Sequence, residues 1–129
     1  MICYFILYVR DQDASRKFYQ EILGHAPHLD VPGMTEFQLS ESCILGLMPE
    51  SGIKRLLGSS IRDPEETNGI SRAEIYLLVD EPQLFMTRAL QVGARVLSPI
   101  EQRNWGDIAG YIVDLDGHVV AFASRSPKR

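Results

Sequence analysis

A short pattern occurs twice in this sequence, and it restricts the possible folds more than any other feature of the chain. Each copy consists of an apolar run typical of a buried strand, a polar start, an amphipathic segment typical of a helix, and a glycine that suits a helix end. The apolar runs end at Val9 and Val79, 70 positions apart. The copies comprise residues 5–9, about 14–23 and Gly24 in the first half, and residues 75–79, 84–92 and Gly93 in the second. We therefore expect two similar modules.

The two predicted helices each have an apolar stripe. In the first, Ala14, Phe18 and Ile22 are spaced at i, i+4 and i+8. Either Asp11 or Asp13 can cap the amino end of this helix. The stripe of the second helix comprises Phe85, Ala89 and Val92.

Further strand-like runs follow each helix and complete the modules. They are residues 34–39 and 43–48 in the first half, and residues 94–97, 109–113 and 119–123 in the second. The pair Asp116-Gly117 predicts a hairpin turn between the last two runs, because glycine adopts positive φ without strain. The sequence thus predicts one domain over residues 1–129, with a first module at about 1–50, a connector at about 51–72 and a second module at about 73–125. Two βαβββ modules place the fold in the α+β class.

Composition and charge argue against several classes of function. The 13 basic and 17 acidic residues give a net charge of −4, and no run of lysine or arginine is present to hold a phosphate backbone, so nucleic-acid binding is not expected. The apolar start at residues 1–9 is too short for a membrane span and lacks the features of a signal peptide. Cys3 and Cys43 lie inside apolar runs without metal-site spacing. We predict that they are buried, reduced thiols of a cytoplasmic protein.

Several short motifs occur in an order and spacing that are specific when taken together. They are Tyr8-Val9-Arg10-Asp11, Phe18-Tyr19, Ile22-Leu23-Gly24, Tyr76-Leu77-Leu78-Val79-Asp80, Val92-Gly93-Ala94, Trp105-Gly106 and Asp114-Leu115-Asp116-Gly117-His118. In this arrangement the chain resembles the vicinal oxygen chelate superfamily, which includes glyoxalase I, bleomycin-resistance proteins, fosfomycin-resistance enzymes and extradiol dioxygenases. The resemblance covers about residues 2–124. It implies paired βαβββ modules that form an open, barrel-like cleft, usually in a homodimer.

The resemblance also places the positions through which metal-binding members of the superfamily hold a divalent ion, one on each of four strands. In this sequence they fall at Tyr4, Gly46, Glu74 and Ala121. Glycine and alanine offer no donor atom, neutral tyrosine is a poor ligand, and one carboxylate alone does not hold a divalent ion usefully. We therefore predict no bound metal and no other cofactor.

Other titratable residues have simpler explanations than chemistry. His25 and His28 follow the end of the first helix and are expected on the surface, whereas His118 follows the Asp-Gly turn. Asp114 and Asp116 flank that turn, where aspartate side chains bond the backbone of the turn itself. A ligand or acid–base role is the alternative for each of them.

Alternation along the strands predicts which side chains face the cleft. Ile75, Leu77 and Val79 should meet the helix, which leaves Glu74 and Tyr76 on the cleft side. The predicted ligand-binding residues are Tyr4, Tyr8, Phe37, Met48, Glu74, Tyr76, Trp105 and Tyr111. Simpler interpretations stay open: Glu74 opens a strand near solvent, and Phe37 and Met48 belong to the core or to a dimer interface.

These observations predict a metal-independent, small-molecule-binding protein akin to bleomycin-resistance proteins. It would bind an aromatic or cationic ligand between its modules and form a homodimer, with no nucleic-acid or membrane partner. The alternative is a lyase or isomerase resembling glyoxalase I (lactoylglutathione lyase), metal-dependent or metal-independent, with Glu74 as the base. A third possibility is a structural or regulatory module that only dimerises. The sequence leaves open whether the chain is an enzyme.

Overall fold

The structure, a computed structural model, describes residues 1–125 and contains two compact units. The first unit comprises Met1–Gln20 and Gly24–Asn68, and the second comprises Glu21–Leu23 and the chain from Gly69 onward. The boundary at residues 68 and 69 falls inside the predicted connector.

The first unit contains a mixed four-stranded sheet with the strand order β1-β4-β3-β2. Its elements are β1 (Cys3–Val9), α1 (Gln12–Leu23), β2 (Leu29–Val31), β3 (Met34–Ser40), β4 (Cys43–Pro49) and α2 (Glu50–Leu57). Two short 3-10 turns follow at Gly58–Ser60 and Pro64–Thr67. The edge strand β1 pairs parallel with β4, whereas β2, β3 and β4 pair antiparallel.

The second unit repeats this plan in its own four-stranded sheet, ordered β5-β8-β7-β6. Its elements are β5 (Glu74–Leu78), α3 (Pro82–Gln91), β6 (Arg95–Gln102), β7 (Asp107–Val113) and β8 (Val119–Arg125). Again the first strand pairs parallel with the last. The two βαβββ modules and the α+β class predicted from the repeat are confirmed, and each sheet is open rather than closed into a barrel.

The ends of α1 follow from local chemistry. The Asp11 carboxylate accepts a hydrogen bond from the backbone N–H of Ala14 at 3.0 Å, so Asp11 rather than Asp13 is the amino-terminal cap. Gly24 closes the carboxyl end at φ 80°, a conformation that costs glycine little and other residues more. Both ends lie where the sequence predicted them, within two residues.

Two elements lie outside the sequence prediction, namely the short strand β2 and the helix α2. Within α2 the buried side chain is Ile53, and the ammonium of Lys54 closes the last turn by donating to the carbonyls of Gly58 and Ile61 at 2.8 and 2.9 Å. A helix of this length with one buried residue and Gly52 in its first turn leaves only a weak periodic signal.

One face of each sheet forms the core of its unit. In the first unit, Val9, Phe37, Leu45 and Leu47 are buried on the face opposite that of Tyr4 and Met48. In the second, the core includes Ile112, Val120 and Phe122, and α3 covers this face. The rings of Phe85 and Phe122 lie 5.7 Å apart, and a Cβ at Gly110 would meet Met86 Cε at 2.8 Å. Each fully buried large apolar side chain contributes about 1.5–3 kcal/mol to the stability of its unit.

The hairpin turn between β7 and β8 packs against the end of the connector. Gly117 adopts φ 96°, and a Cβ placed there would lie 2.7 Å from Gly69 Cα and 2.8 Å from Gly69 C. Glycine is therefore required at position 117 for two reasons, its backbone conformation and the close approach of Gly69. This contact fixes the position of Gly69, which lies five residues before Glu74 in the sequence.

The prediction of buried cysteines is wrong. Cys3 is exposed because it begins the edge strand β1, whose residues have strand neighbours on one side only. Cys43 is half-buried at the start of the interior strand β4. Both are free thiols. No helix among residues 1–125 has the length and apolarity needed to cross a membrane.

Candidate functional site

The face of the second sheet opposite α3 carries aromatic and polar side chains. Tyr76, Ala121 and Tyr111 are register partners across β5, β8 and β7, so their side chains share this face. Glu74 lies two residues before Tyr76 on β5 and therefore points to the same side. Leu77 pairs with Phe122 on the α3 side, as the alternation predicted.

A hydrogen-bonded chain fixes the hydroxyl of Tyr76. The indole N–H of Trp105 donates to the Tyr76 oxygen at 3.0 Å, and the Tyr76 hydroxyl lies 2.7 Å from Asp107 Oδ2. An indole nitrogen is only a donor, so the Tyr76 proton is free to go to the Asp107 carboxylate. The Tyr76 oxygen then keeps one lone pair that neither neighbour uses.

The surroundings of Tyr76 and Tyr111 disfavour ionised phenols. Burial raises the pKa of Tyr76 first, and the hydrogen bond to Asp107 raises it further, against a lowering by Trp105. Burial likewise raises the pKa of Tyr111, and the negative charge of Glu74 adds to the increase while Arg103 opposes it. Both phenols are therefore neutral at physiological pH.

Arg103 holds Tyr111 in place and has little capacity left for a ligand. Its guanidinium lies 5.3 Å from the centre of the Tyr111 ring, a cation–π distance. Four of its five N–H groups are used by acceptors within hydrogen-bonding distance. These are Ala109 O (3.0 Å), Glu101 Oε1 (2.9 Å), Ser98 Oγ (2.8 Å) and Pro99 O (2.7 Å).

A depression of about 360 Å³ opens beside these residues, lined by Arg72, Ala73, Glu74, Tyr111 and Val119. Glu74 is exposed at its rim rather than buried. Trp105, at 45% exposure, presents much of its indole to solvent in the loop before β7. The structure thus brings four of the predicted ligand-binding residues, Glu74, Tyr76, Trp105 and Tyr111, onto one face of one unit.

The other four predicted ligand-binding residues belong to the first unit. Tyr4, Tyr8 and Met48 lie on one face of its sheet, with Ile6 and Gly46 between them in the register. Phe37 is 0% exposed and lies on the opposite face, in the core, next to Leu45. The structure therefore does not group Phe37 with the other three.

Asp107 and Arg103 are the site residues that sequence analysis missed. Asp107 is 3% exposed and opens β7 two residues ahead of Ala109, where the predicted strand began. The alternation 107, 109, 111 would have placed it beside Tyr111 had the strand been extended. Arg103 carries no such signal, since its position depends on irregular pairing between β6 and β7.

The four positions that correspond to metal ligands in the superfamily do not fit a metal ion. Tyr4 and Gly46 share one face of the first sheet, and Glu74 and Ala121 share one face of the second. A Cβ at Gly46 would meet Ile6 Cγ1 at 3.1 Å, so an apolar side chain occupies the space beside it. Glu74 is thus the one carboxylate in a set that includes two residues without donor atoms.

Asp114 and the three histidines have hydrogen-bond partners in their local structure. Asp114 Oδ1 accepts from the backbone N–H groups of Asp116 and His118 at 2.9 and 2.8 Å, and Oδ2 contacts His118 Nδ1 at 2.8 Å, which is the turn role predicted for this aspartate. His25 contacts the Gln38 carbonyl and His28 contacts Glu36 Oε1, both at the surface.

A larger depression, of about 560 Å³, lies beside α2 in the first unit. Its lining comprises Arg10, Glu50, Ser51, Lys54, Arg55, Asp63 and Glu65. Three acidic and three basic side chains balance one another there, and Lys54 is engaged with backbone carbonyls. This surface selects neither sign of charge.

Comparison with known proteins assigns the fold to a family. The family model described as "Glyoxalase-like domain" matches residues 2–125. A glyoxalase-related enzyme from Fulvimarina pelagi superposes with a TM-score of 0.81 at 22% identity, covering 97% of this chain and 88% of its own. A glyoxalase/bleomycin resistance protein/dioxygenase family enzyme from Burkholderia phytofirmans PsJN superposes with a TM-score of 0.79 at 16% identity, and the match covers 95% of this chain and 96% of that one. A glyoxalase/bleomycin resistance protein/dioxygenase from Nocardioides superposes with a TM-score of 0.78 at 19% identity, and the match covers 100% of this chain and 85% of that one. No curated protein sequence matches the chain significantly. At these identities the structures share the fold.

Proposed function

The chain belongs to the glyoxalase-like domain family, and we propose that it is a small-molecule-binding member that works without a metal ion and binds an aromatic or cationic organic ligand. The observation that carries the proposal is a pair of hydrogen-bond acceptors on one face of the second sheet, the Glu74 carboxylate and the Tyr76 oxygen. They lie on the same face as the aromatic rings of Trp105 and Tyr111. The superfamily's usual ligand positions offer one carboxylate, which supports the metal-independent form of the proposal.

The polarity of this face favours a ligand that donates hydrogen bonds. The Tyr76 oxygen keeps one acceptor lone pair, because its other contacts are the Trp105 N–H and the Asp107 carboxylate. The Glu74 carboxylate, also an acceptor, lines the adjacent depression. A protonated amine, amidine or guanidine complements both groups and can lie against the aromatic faces.

An anionic ligand finds less support on this face. Arg103 is already committed to four acceptors and to the Tyr111 ring. Arg72 lines the depression but is exposed, and an ion pair formed by an exposed arginine alone contributes about 0–1 kcal/mol. The proposed ligand is therefore an organic cation with an aromatic or other planar part.

Isothermal titration calorimetry on the full chain tests this proposal with matched probes, benzamidinium and larger aromatic amidines against the corresponding carboxylates. We expect binding of the cations and weakening of about two- to fivefold in Glu74→Gln, because an ion pair with this exposed carboxylate, worth up to about 1 kcal/mol, is lost. Glu41→Gln is the control, since Glu41 is an exposed carboxylate in the β3–β4 turn of the first unit. Preference for the carboxylates, or equal weakening by both variants, would contradict the proposal.

Metal content separates the proposal from the metal-dependent form of the enzymatic alternative. Protein purified without chelators and analysed by elemental mass spectrometry should contain no stoichiometric divalent metal. Stoichiometric metal together with lyase or isomerase turnover abolished in Glu74→Gln would replace the proposal with the glyoxalase-I-like reading, in which Glu74 is the base.

We extend the proposal to a homodimer through β1. This edge strand exposes apolar side chains on both faces, with Tyr4 and Ile6 on one and Phe5 on the other. Exposed apolar edge strands are sites of association. Analytical ultracentrifugation should find a dimer that Phe5→Glu dissociates, whereas Leu56→Glu, at another exposed apolar position, leaves it intact. A monomeric wild-type chain would refute this extension.

A further inference from the structure

The two cysteines of the chain face each other across neighbouring strands. Cys3 on β1 and Cys43 on β4 are register partners at the start of the parallel pair. They are the chain's two cysteines, 40 positions apart in sequence. The fold places these two residues side by side, and their spacing in the sequence does not predict that they are neighbours.

Strand geometry brings the two thiols within reach of one bond. Neighbouring strands lie about 4.7–4.9 Å apart, and disulfides join residues whose Cα atoms are about 4.4–6.8 Å apart. Residues in register point to the same face of the sheet, so both Cβ atoms leave the backbone on one side. The Cys3 N–H donates to the Ser42 carbonyl at 2.8 Å, which holds Cys3 beside Cys43.

Both thiols are open to reagents in different degrees. Cys3 is exposed and Cys43 is half-buried, and neither is in a disulfide. We propose that Cys3 and Cys43 form a reversible dithiol–disulfide site, in which Cys3 reacts first with a hydroperoxide and Cys43 resolves the product. The site is independent of the ligand-binding function proposed above, and it requires that Cys3 stay exposed in the dimer proposed through β1.

The chemistry balances with a hydroperoxide as the two-electron oxidant. The Cys3 thiolate attacks one peroxide oxygen, which gives a sulfenic acid and releases water or an alcohol. The Cys43 sulfur then displaces hydroxide from that sulfenic acid, forms the S–S bond and releases water after proton transfer. Together the two thiols lose two electrons and two protons, which the peroxide takes up as it becomes water and water or an alcohol, and a dithiol reductant reverses the oxidation of the cysteines.

The disulfide would clamp the edge strand β1 to β4. It closes the chain between positions 3 and 43 and so restricts the unfolded state. It also joins the strand that exposes Tyr4, Phe5 and Ile6 covalently to the interior strand of its sheet. Oxidation should therefore stabilise β1 and raise the thermal midpoint of the protein by roughly 10 °C.

Intact-mass spectrometry of the reduced full chain treated with a small excess of hydrogen peroxide tests the site. We expect the loss of two hydrogen atoms, a linked peptide pair that contains positions 3 and 43, the higher thermal midpoint, and full reversal by dithiothreitol. Cysteines oxidised to sulfinic or sulfonic acid without a link, or disulfide-linked dimers, would overturn the proposal. An unchanged or lower midpoint in the linked protein would overturn the clamp.

Single substitutions test the order of the two steps. In Cys43→Ser, the sulfenic acid on Cys3 has no resolving thiol and should be trapped by dimedone, whereas Cys3→Ser should show little labelling at the same peroxide dose. Stronger labelling of Cys3→Ser would reverse the assigned roles and overturn this part of the proposal. Serine replaces each thiol with a side chain of nearly the same size, so both variants retain the sheet.

Discussion

The contact between Gly117 and Gly69 makes a quantitative prediction about the second unit. Replacing Gly117 with alanine places a methyl group on a residue with φ 96°, 2.7 Å from Gly69 Cα and 2.8 Å from Gly69 C. Gly93 is the matched control in the same unit, because it has φ 85° and nothing within 4 Å of its Cβ position. The pair separates backbone strain from steric overlap.

The expected magnitudes follow from these distances. A left-handed backbone costs an L-residue about 1–2 kcal/mol, from which a smaller gain of about 0.4–1 kcal/mol from the stiffer unfolded chain is subtracted. Gly93→Ala should therefore destabilise the protein by about 1 kcal/mol. Gly117→Ala carries the same strain, and its methyl group must also move by roughly 0.8 Å to reach normal contact distance, at a cost of about 1–3 kcal/mol. We expect a total of about 2–4 kcal/mol.

Urea unfolding followed by circular dichroism measures both variants, with the free energy of unfolding extrapolated to water. The larger loss in Gly117→Ala should also appear as a thermal midpoint lower by roughly 10 °C. Because the contact lies just ahead of β5, cation binding at Glu74 should weaken in Gly117→Ala and stay unchanged in Gly93→Ala. Equal destabilisation by the two substitutions would show that the backbone at Gly69 moves away from the new methyl group at no cost in free energy. It would refute the prediction that the close contact adds to the destabilisation.

Three further predictions concern individual side chains. The stability of the protein should fall as pH rises above about 10, because the pKa of Tyr76 is raised in the folded chain and the unfolded chain therefore releases this proton first. Tyr76→Phe should flatten this decline in urea titrations between pH 9 and 11. An unchanged slope would contradict the prediction. Phe122→Ala should cost about 3–5 kcal/mol in the free energy of unfolding, since the ring is fully buried, and a loss under 1 kcal/mol would place it outside the core. Asp11→Ala should cost about 1 kcal/mol whereas Asp11→Asn, which keeps the capping oxygen, should cost little; equal losses would argue against the cap.

The fold could be predicted because its main signals are local and occur twice. The apolar runs, the stripe of Phe18 and Ile22 and the closing Gly24 each act within a few residues, and the second copy repeats them. The helix α2 could not be predicted from the sequence pattern, because its stability depends on tertiary contacts of Ile53 and on the carbonyls bound by Lys54. Neither interaction produces a long periodic pattern.

The candidate site was predictable to the extent that strand alternation determines it. Glu74, Tyr76 and Tyr111 share a face because side chains alternate along a strand, which the sequence reveals. The roles of Asp107 and Arg103 depend on where β7 begins and on the irregular register of β6, which only the folded chain defines. The exposure of Cys3 was mispredicted for a related reason, since an apolar run has the same sequence pattern at the edge of a sheet as at its centre.

The strand order of the sheets has a consequence for how the protein is made. In the second sheet the last strand to leave the ribosome, β8, lies between β5 and β7. Until Val119–Arg125 has been synthesised, β5 has no strand to pair with, because its partner residues lie 45 positions later in the sequence, as for Glu74 and Val119. The strands β6 and β7 can pair beforehand, but nascent chains of this unit should join β5 to them only in a late step. A chain that stops before position 119 would lose the middle of the sheet, and its two remaining parts would have nothing to join them.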